Sequence, residues 1–180
     1  MEKATLANGC FWCTEAVFKR LNGIKSVKSG YTGGEMEKPS YQDVTTGQTG
    51  HAEAIQIEFD PSIITYDTIL DVFFATHDPT ELNRQGNDVG TQYRSAIFYH
   101  SKEQERDAEK KIKELTAANT YESPIVTEVT EFSKFFPAEE NHKNYYDENR
   151  NINMYCRIVI DPKIKKLLTR FNDKVKEEYK

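Results

Sequence analysis

The residues with the clearest chemical potential lie near the N-terminus, in the pentapeptide Gly9-Cys10-Phe11-Trp12-Cys13, which contains two of the three cysteines and the only tryptophan. Cysteine reacts as its thiolate, and the start of a helix favours that form because unpaired backbone N–H groups stabilise an anion. Apolar residues at helical spacing follow, so a helix is predicted directly after Cys10. Cys10 is therefore expected to have a lowered pKa and to act as a nucleophile. The alternative is that both cysteines are ordinary buried apolar residues.

A second candidate is Glu53, near the start of the segment His51–Phe59. Strand side chains alternate between two faces, so Ile55, Ile57 and Phe59 share one face, and Glu53 precedes them on it. Burial raises the pKa of a carboxyl group, which would keep Glu53 protonated near neutral pH and able to act as a general acid. A solvated glutamate at a frayed strand end is the alternative.

Capping signals predict where the helices that support these residues begin. Thr65 is the expected cap of one helix, and a last helix has Asp161 as its cap and Pro162 in its first turn. Residues 35–50 are polar and rich in turn formers, which predicts a long loop, and residues 125–132 read as a strand.

The order of the predicted elements indicates the fold class. The N-terminal half reads strand, helix, strand, strand, helix, strand, which is typical of a ferredoxin-like βαββαβ core. A further strand and helices follow towards the C-terminus. We therefore predict the α+β class and a single catalytic domain over residues 1–180, because this length suits one sizeable core.

Composition narrows the range of partners. The net charge is −5 and the isoelectric point is near 5.5, which argues against a nucleic-acid or anionic-membrane binder because both require a basic surface. There is no long apolar run, and no signal-peptide core follows the first residues. A cytoplasmic protein is expected. Three cysteines do not make a disulfide framework, so a disulfide here is expected to be transient and catalytic.

Further segments combine with the pentapeptide into a family pattern. They are, in chain order, Gly9–Trp12, Gly30-Tyr31, Gly33-Gly34, Tyr41, Gly50–Ala54, His77–Pro79, Gln85–Asp88, Gly90–Ser95, Ala138-Glu139 and His142. With these segments the chain resembles the peptide methionine sulfoxide reductases of the A type (MsrA). The resemblance covers most of the chain, in the order of the family.

The resemblance implies a catalytic role for five residues. Cys10 would attack the sulfur of the sulfoxide, and Glu53 would give a proton to its oxygen. Tyr41 and Tyr93 would hydrogen-bond that oxygen, and Asp88 would order the site through water. The products are methionine and a sulfenic acid on Cys10, which a second thiol must reduce through a disulfide.

The resemblance also implies the binding partners. Phe11 and Trp12 would enclose the methyl group of the substrate, which is the S epimer of methionine sulfoxide, free or in proteins. Thioredoxin is the expected reductant. No cofactor, metal, nucleic acid or membrane is expected, and the chain is expected to be a monomer.

The chain departs from the commonest family pattern at its second and third cysteines. Cys13 stands where many members have glycine, and Cys156 lies near the first cysteine of a glycine-rich tail that this chain lacks. Either could resolve the sulfenic acid. Cys13 is favoured because a Cys-x-x-Cys pair at a helix start can close a disulfide locally. Cys156 would require its segment, which reads as ordered, to lie against the site.

Two other functions are compatible with part of the sequence pattern. A thioredoxin-like dithiol oxidoreductase using Cys10 and Cys13 explains the Cys-x-x-Cys motif but assigns no role to Glu53 or Tyr41. A metal-binding module would use the two cysteines and a histidine, but the chain offers no second Cys-x-x-Cys and no paired histidines.

Overall fold

The structure, a computed structural model, describes residues 1–180 and contains a six-stranded sheet and a small hairpin. The strands are β1 (Glu2–Asn8), β2 (Ile24–Thr32), β3 (Ala52–Phe59), β4 (Arg84–Gln85), β5 (Asp88–Val89), β6 (Ser95–Tyr99), β7 (Glu128–Glu131) and β8 (Phe135–Pro137). The large sheet has the order β7-β6-β1-β3-β2-β8, and β4 pairs with β5 in the hairpin. Only β6 and β7 pair in parallel.

Six α-helices and one π-helical turn accompany the strands. The helices are α1 (Phe11–Phe18), α2 (Tyr41–Thr45), α3 (Tyr66–Ala75), α4 (Lys102–Ala117), α5 (Tyr145–Asn149) and α6 (Asp161–Arg170). The π-helical turn, Cys156–Ile160, leads directly into α6. The predicted α+β class is confirmed. None of the helices has both the length and the apolar character needed to cross a membrane.

Two of the predicted helix starts are confirmed. The N–H groups of Cys13 and Thr14 donate to the carbonyl oxygen of Cys10 at 3.1 and 3.4 Å, so α1 begins directly after Cys10. The side chain of Thr65 accepts a hydrogen bond from the N–H of Thr68 at 3.1 Å, which caps α3.

The predicted cap of the last helix is wrong. Because α6 continues the π-helical turn, Asp161 has helical backbone angles and its side chain makes no capping bond. Its carboxylate instead accepts hydrogen bonds from the Tyr146 hydroxyl at 2.5 Å and from the Arg150 guanidinium at 2.9 and 3.0 Å. Asp161 therefore ties α6 to α5.

The central strand β3 shows the predicted alternation. Ile55, Ile57 and Phe59 are fully buried and pack with apolar residues of α1 and α3. The opposite face is less solvated than expected, because Ala52 and Ala54 are buried in a second, smaller apolar cluster. Glu53 therefore points into the main core side of the sheet rather than into solvent.

Two elements differ from the sequence-based expectations. The predicted loop over residues 35–50 contains α2, which starts with a capping box in which Ser40 and Asp43 bond each other's backbone N–H. The sequence pattern predicts no strand at Phe135–Pro137, where β8 pairs with Gly30, Tyr31 and Thr32 of β2.

Candidate active site

Cys10 and Cys13 lie at the first turn of α1, and only 8% and 3% of their surfaces are exposed. The chain enters this turn from β1 through Gly9, whose φ of 109° is strained for any residue with a Cβ. A Cβ on Gly9 would also come within 3.0 Å of the side chain of Gln85. The two thiols therefore share one end of one helix, in a buried cluster that also contains Cys156.

The ionisation of the two thiols differs from the sequence-based expectation. Burial raises the pKa of Cys10 well above its ordinary value, and Cys13 and Glu53 add to the rise. The pKa of Cys13 is lowered to about 7, first by its interaction with the Cys10 thiol and then by Lys163 and the Tyr155 hydroxyl. The expected low pKa of Cys10 is wrong because desolvation outweighs the helix start. Of the two thiols, Cys13 is therefore the one whose thiolate form is favoured.

Glu53 is only 1% exposed, so the alternative of a solvated strand end is wrong. Its Oε1 accepts a hydrogen bond from the backbone N–H of Phe11 at 3.0 Å, while its buried Oε2 has no partner. Burial, together with the charges of Asp88 and Cys13, raises the pKa of Glu53 to about 8. The site therefore holds a neutral carboxyl group near neutral pH, with one oxygen free to donate a proton.

Aromatic side chains surround the pentapeptide. The indole of Trp12 stacks on Tyr145 with ring centroids 3.8 Å apart, and its Nε1 donates to His142 Nδ1 at 3.1 Å. Phe11 is completely buried and packs against Tyr31, which leaves Trp12 as the more accessible of the two predicted pocket residues. Tyr145 and His142 therefore form an aromatic wall against Trp12.

Tyr41 and Tyr93 come from two separate segments. Tyr41 is the first residue of α2, and its backbone N–H donates to Glu139 Oε2 at 3.1 Å. Burial raises the pKa of both tyrosines, to about 12 for Tyr41, and the charges of Glu53 and Cys10 raise both pKa values further. Both phenols are thus protonated hydrogen-bond donors that lie within electrostatic reach of the acid and the nucleophile.

Asp88 is held by a residue to which the sequence assigned no role. Its Oδ2 accepts a hydrogen bond from the Tyr155 hydroxyl at 2.6 Å, and the same hydroxyl lies 3.7 Å from Cys13 Sγ. Tyr155 also meets Trp12 edge-on, with ring centroids 6.0 Å apart. Its position directly before Cys156 is the one sequence signal that could have indicated it.

A cleft of ≈ 290 Å³ opens beside the two thiols, but Glu53, Tyr41, Tyr93 and Trp12 are not among the residues that line it. Cys10, Cys13, Asp88, Tyr155 and Lys163 are among its lining residues. A larger cleft of ≈ 460 Å³ is bordered by β2 and the segment after β8 but by none of the cysteines. No group of three or more His, Cys, Asp or Glu side chains is arranged to hold a metal ion.

The third cysteine lies closer to the site than the sequence indicated. Cys156 is fully buried at the first position of the π-helical turn, as part of the cluster that contains Cys10 and Cys13. Burial and the charge of Cys13 raise its pKa. The segment after Cys156 is ordered, as expected, and it brings the thiol to the site from the C-terminal part of the chain.

The family model of peptide methionine sulfoxide reductases matches residues 2–176. The chain belongs to this family. Proteins named peptide methionine sulfoxide reductase MsrA from Saccharolobus solfataricus and Sulfolobus acidocaldarius are 56% and 54% identical to it, over 98% and 97% of each chain. The enzyme is thus a peptide methionine sulfoxide reductase of the A type, and its substrate is methionine sulfoxide.

Several solved structures share the fold of this chain. The reduced form of Mxr1 from Saccharomyces cerevisiae has a TM-score of 0.79 and 39% identity, over 84% of this chain and 87% of that one. Methionine sulfoxide reductase A of Corynebacterium diphtheriae has a TM-score of 0.74 and 32% identity, over 83% and 75%. Mxr1 was also crystallised in complex with Trx2, with a TM-score of 0.57 and 28% identity, over 80% and 84%.

Proposed function

We propose that the enzyme reduces the S epimer of methionine sulfoxide, free or in proteins, through a sulfenic acid on Cys10 and a disulfide that thioredoxin then reduces. The observation that carries this proposal is Glu53, a buried carboxyl group with a pKa near 8 and an unpartnered Oε2 within electrostatic reach of Cys10. Such a group is suited to protonate an oxygen while a neighbouring sulfur attacks.

In the first step Cys10 attacks the sulfur of the sulfoxide. Its proton passes to the thiolate of Cys13, with which it interacts, and Glu53 gives a proton to the sulfoxide oxygen. Tyr41 and Tyr93 donate hydrogen bonds to that oxygen, since both phenols stay protonated. The oxygen then forms a bond to the Cys10 sulfur, while the bond between the two sulfur atoms and the sulfur–oxygen bond of the substrate both break. The products are methionine and a Cys10 sulfenic acid, and Glu53 is left as a carboxylate.

Substrate binding is assigned to the aromatic wall. Trp12 borders the accessible side and Phe11 packs behind it, so the two form an apolar site suited to a methyl group. Asp88 would order the rest of the site. Its bond to Tyr155 supports a fixed orientation of its carboxylate.

In the second step a disulfide replaces the sulfenic acid. Cys13 is the preferred resolving thiol because it shares the first turn of α1 with Cys10 and its pKa is lowered to about 7. Cys156 belongs to the same buried cluster, so it is the other candidate. The complex of Mxr1 with Trx2 supports thioredoxin as the partner that reduces the disulfide.

The remaining proposals concern fold and context. The strand order β6-β1-β3-β2, with α1 and α3 between strands, supports a ferredoxin-like core extended by β7 and β8. We propose that the chain acts as one catalytic domain, as a monomer, in the cytoplasm. Its negative net charge supports this assignment against a nucleic-acid or membrane partner.

The thioredoxin-like alternative receives less support. A dithiol oxidoreductase needs an accessible nucleophilic thiolate at the first cysteine. Here Cys10 is 8% exposed and its pKa is raised. That function also leaves the unpartnered Oε2 of Glu53 without a purpose.

The proposed function is tested by single turnover without reductant, with each epimer of methionine sulfoxide, followed by peptide mapping. The wild-type enzyme is expected to form one methionine per active site from the S epimer and to finish with a Cys10–Cys13 disulfide. Cys10→Ser is expected to form none. Cys13→Ser should form methionine but retain a sulfenic acid that a 1,3-dione reagent traps.

Cys156→Ser is the matched control, since it removes the other thiol of the cluster. It is expected to form both methionine and the disulfide. A Cys10–Cys156 disulfide in the wild type would contradict the role of Cys13, and equal rates with both epimers would contradict the specificity. Wild-type turnover by Cys10→Ser would refute the mechanism.

A further inference from the structure

We propose that Tyr155 takes the proton of Cys13 when Cys13 attacks the sulfenic acid, and that Tyr155 passes its own proton to Asp88. This inference rests on the proposed function, in which Cys13 resolves the sulfenic acid. It assigns the second step an acid–base pair that is separate from Glu53, the acid of the first step.

The hydrogen bonds around Tyr155 have the direction that this transfer needs. A hydroxyl has one proton to donate and two lone pairs that accept. The Tyr155 hydroxyl donates its proton to Asp88 Oδ2 at 2.6 Å and lies 3.7 Å from Cys13 Sγ, where either atom can be the donor. Once the first step has protonated Cys13, its S–H donates to the hydroxyl oxygen, whose own proton is engaged with Asp88. A continuous chain therefore runs from the Cys13 S–H through the Tyr155 hydroxyl to the Asp88 carboxylate.

The second step needs a base because the first step protonates Cys13. Having taken the proton of Cys10, Cys13 is a neutral thiol, and a thiol is a poor nucleophile compared with a thiolate. Apart from the Cys10 thiol, which is the group under attack in this step, Tyr155 is the side chain that hydrogen-bonds with Cys13 Sγ. Lys163 borders the same cleft, but an ammonium group has no lone pair with which to accept a proton.

The step balances as follows. The Cys13 S–H bond breaks, a bond forms between the two sulfur atoms, and the bond between Cys10 sulfur and its hydroxyl oxygen breaks. The proton of Cys13 moves to Tyr155 oxygen while the hydroxyl proton of Tyr155 moves to Asp88. The hydroxyl that leaves Cys10 becomes water by taking the proton that reached Asp88, which lines the same cleft as Cys10, so Asp88 ends as a carboxylate. The net reaction is one sulfenic acid and one thiol giving one disulfide and one water.

Other charged and titratable groups also face Cys13 and set the background of its pH dependence. They are Cys10 on the same helix, Glu53 on β3, Asp88 on β5, Tyr155 and Cys156 at the π-helical turn, and Lys163 on α6. The substitution Tyr155→Phe removes the Tyr155 hydroxyl and none of the other groups. The ring and its packing against Trp12 stay in place.

The experiment compares Tyr155→Phe with Tyr146→Phe in single turnover, with both steps measured in the same sample. Tyr146 is the matched control because its side chain packs in the same buried cluster and its hydroxyl also donates to a carboxylate, Asp161, but forms no hydrogen bond with a thiol. Methionine release reports the first step. Alkylation of the remaining thiols, followed by mass mapping, reports the formation of the Cys10–Cys13 disulfide.

For Tyr155→Phe at pH 6, the rate of the second step relative to the first is expected to fall about tenfold, because a thiol with a pKa of about 7 is about one-tenth ionised at pH 6. The defect should shrink by about tenfold per pH unit as pH rises, because the thiol then ionises without help until its own pKa is reached. Tyr146→Phe should keep the wild-type ratio at every pH. In an Asp88→Asn background, Tyr155→Phe should cause little further loss.

Wild-type disulfide formation by Tyr155→Phe at pH 6 would overturn the inference while leaving the proposed function intact. An equal loss in Tyr146→Phe, or a loss that does not change with pH, would also overturn it by showing a packing effect. A Cys10–Cys156 disulfide in the wild-type map would instead refute the resolving role of Cys13. That outcome is read from the peptide map rather than from a rate, so the two failures are distinguishable.

Discussion

Replacement of Glu53 by glutamine is expected to abolish efficient reduction of methionine sulfoxide and, at the same time, to change stability in a pH-dependent way. Glu53 is 1% exposed, and burial raises its pKa from 4.5 to about 8. The folded state therefore holds a proton that the unfolded state releases above pH 4.5. Without that proton the first step should slow by roughly 10²- to 10⁴-fold.

The magnitude of the stability effect follows from proton linkage. Between the two pKa values the folded state binds one more proton than the unfolded state, so the free energy of unfolding of the wild type falls by about 1.4 kcal/mol per pH unit. Relative to pH 4, the wild type loses about 3 kcal/mol at pH 7 through Glu53 and about 4 kcal/mol at pH 8. Glutamine does not ionise, so the variant escapes this loss, and its amide oxygen can still accept the bond from Phe11.

The assay is urea unfolding of both proteins at pH 4, 6, 7 and 8. The difference in unfolding free energy should move in favour of the variant across this range, whatever its value at pH 4. At pH 4 the variant is expected to be less stable than the wild type by about 1–3 kcal/mol, because the new glutamine side chain leaves an unpaired amide N–H in the core. Glu58→Gln, on the half-exposed face of the same strand, is the matched control. A difference for Glu53→Gln that stays constant from pH 4 to 8 would refute the assignment of a buried, protonated acid.

Three further outcomes are expected. Methionine formation in single turnover should fall about tenfold per unit as pH rises above 8, because only protonated Glu53 donates, and a flat profile would contradict the acid role. Thr65→Ala should lower the free energy of unfolding by about 1 kcal/mol, because the backbone N–H of Thr68 loses its hydrogen-bond acceptor. The change should appear as a lower Tm. An unchanged Tm would show that the cap does not stabilise the protein. Gly30→Ala would place a Cβ 2.4 Å from the carbonyl oxygen of Phe136. Faster amide exchange in β8 and a destabilisation of about 1–3 kcal/mol are expected, and native exchange rates would argue against this contact.

Local signals in the sequence predicted the parts of the fold that depend on neighbouring residues. The start of α1 after Cys10, the Thr65 cap and the alternation along β3 each involve residues within a few positions of one another. The cap at Asp161 failed because its carboxylate bonds Tyr146 and Arg150 instead. Likewise, β8 exists only because the end of β2 offers it a pairing edge.

The candidate site also contains some residues that the sequence predicted and others that it did not. The two thiols, the acid and the aromatic residues beside them were all identifiable from residue type, spacing and family pattern. Tyr155 was not, because its role depends on contacts with Asp88 and with Cys13, which is 142 positions away. The burial of Cys156 beside the site was equally invisible, since a cysteine in an apolar segment has the same sequence pattern wherever that segment packs.

The sequence by itself determined which groups are present: a thiol pair at a helix start, a carboxyl group on the apolar face of a strand, and the fingerprint of a methionine sulfoxide reductase. The tertiary structure alone decided their protonation. Burial raises the pKa of Cys10, and the contacts of Cys13 with Cys10, Lys163 and Tyr155 lower its pKa to about 7. The reason is that a pKa depends on desolvation and on charges a few ångströms away, which only the folded chain brings together.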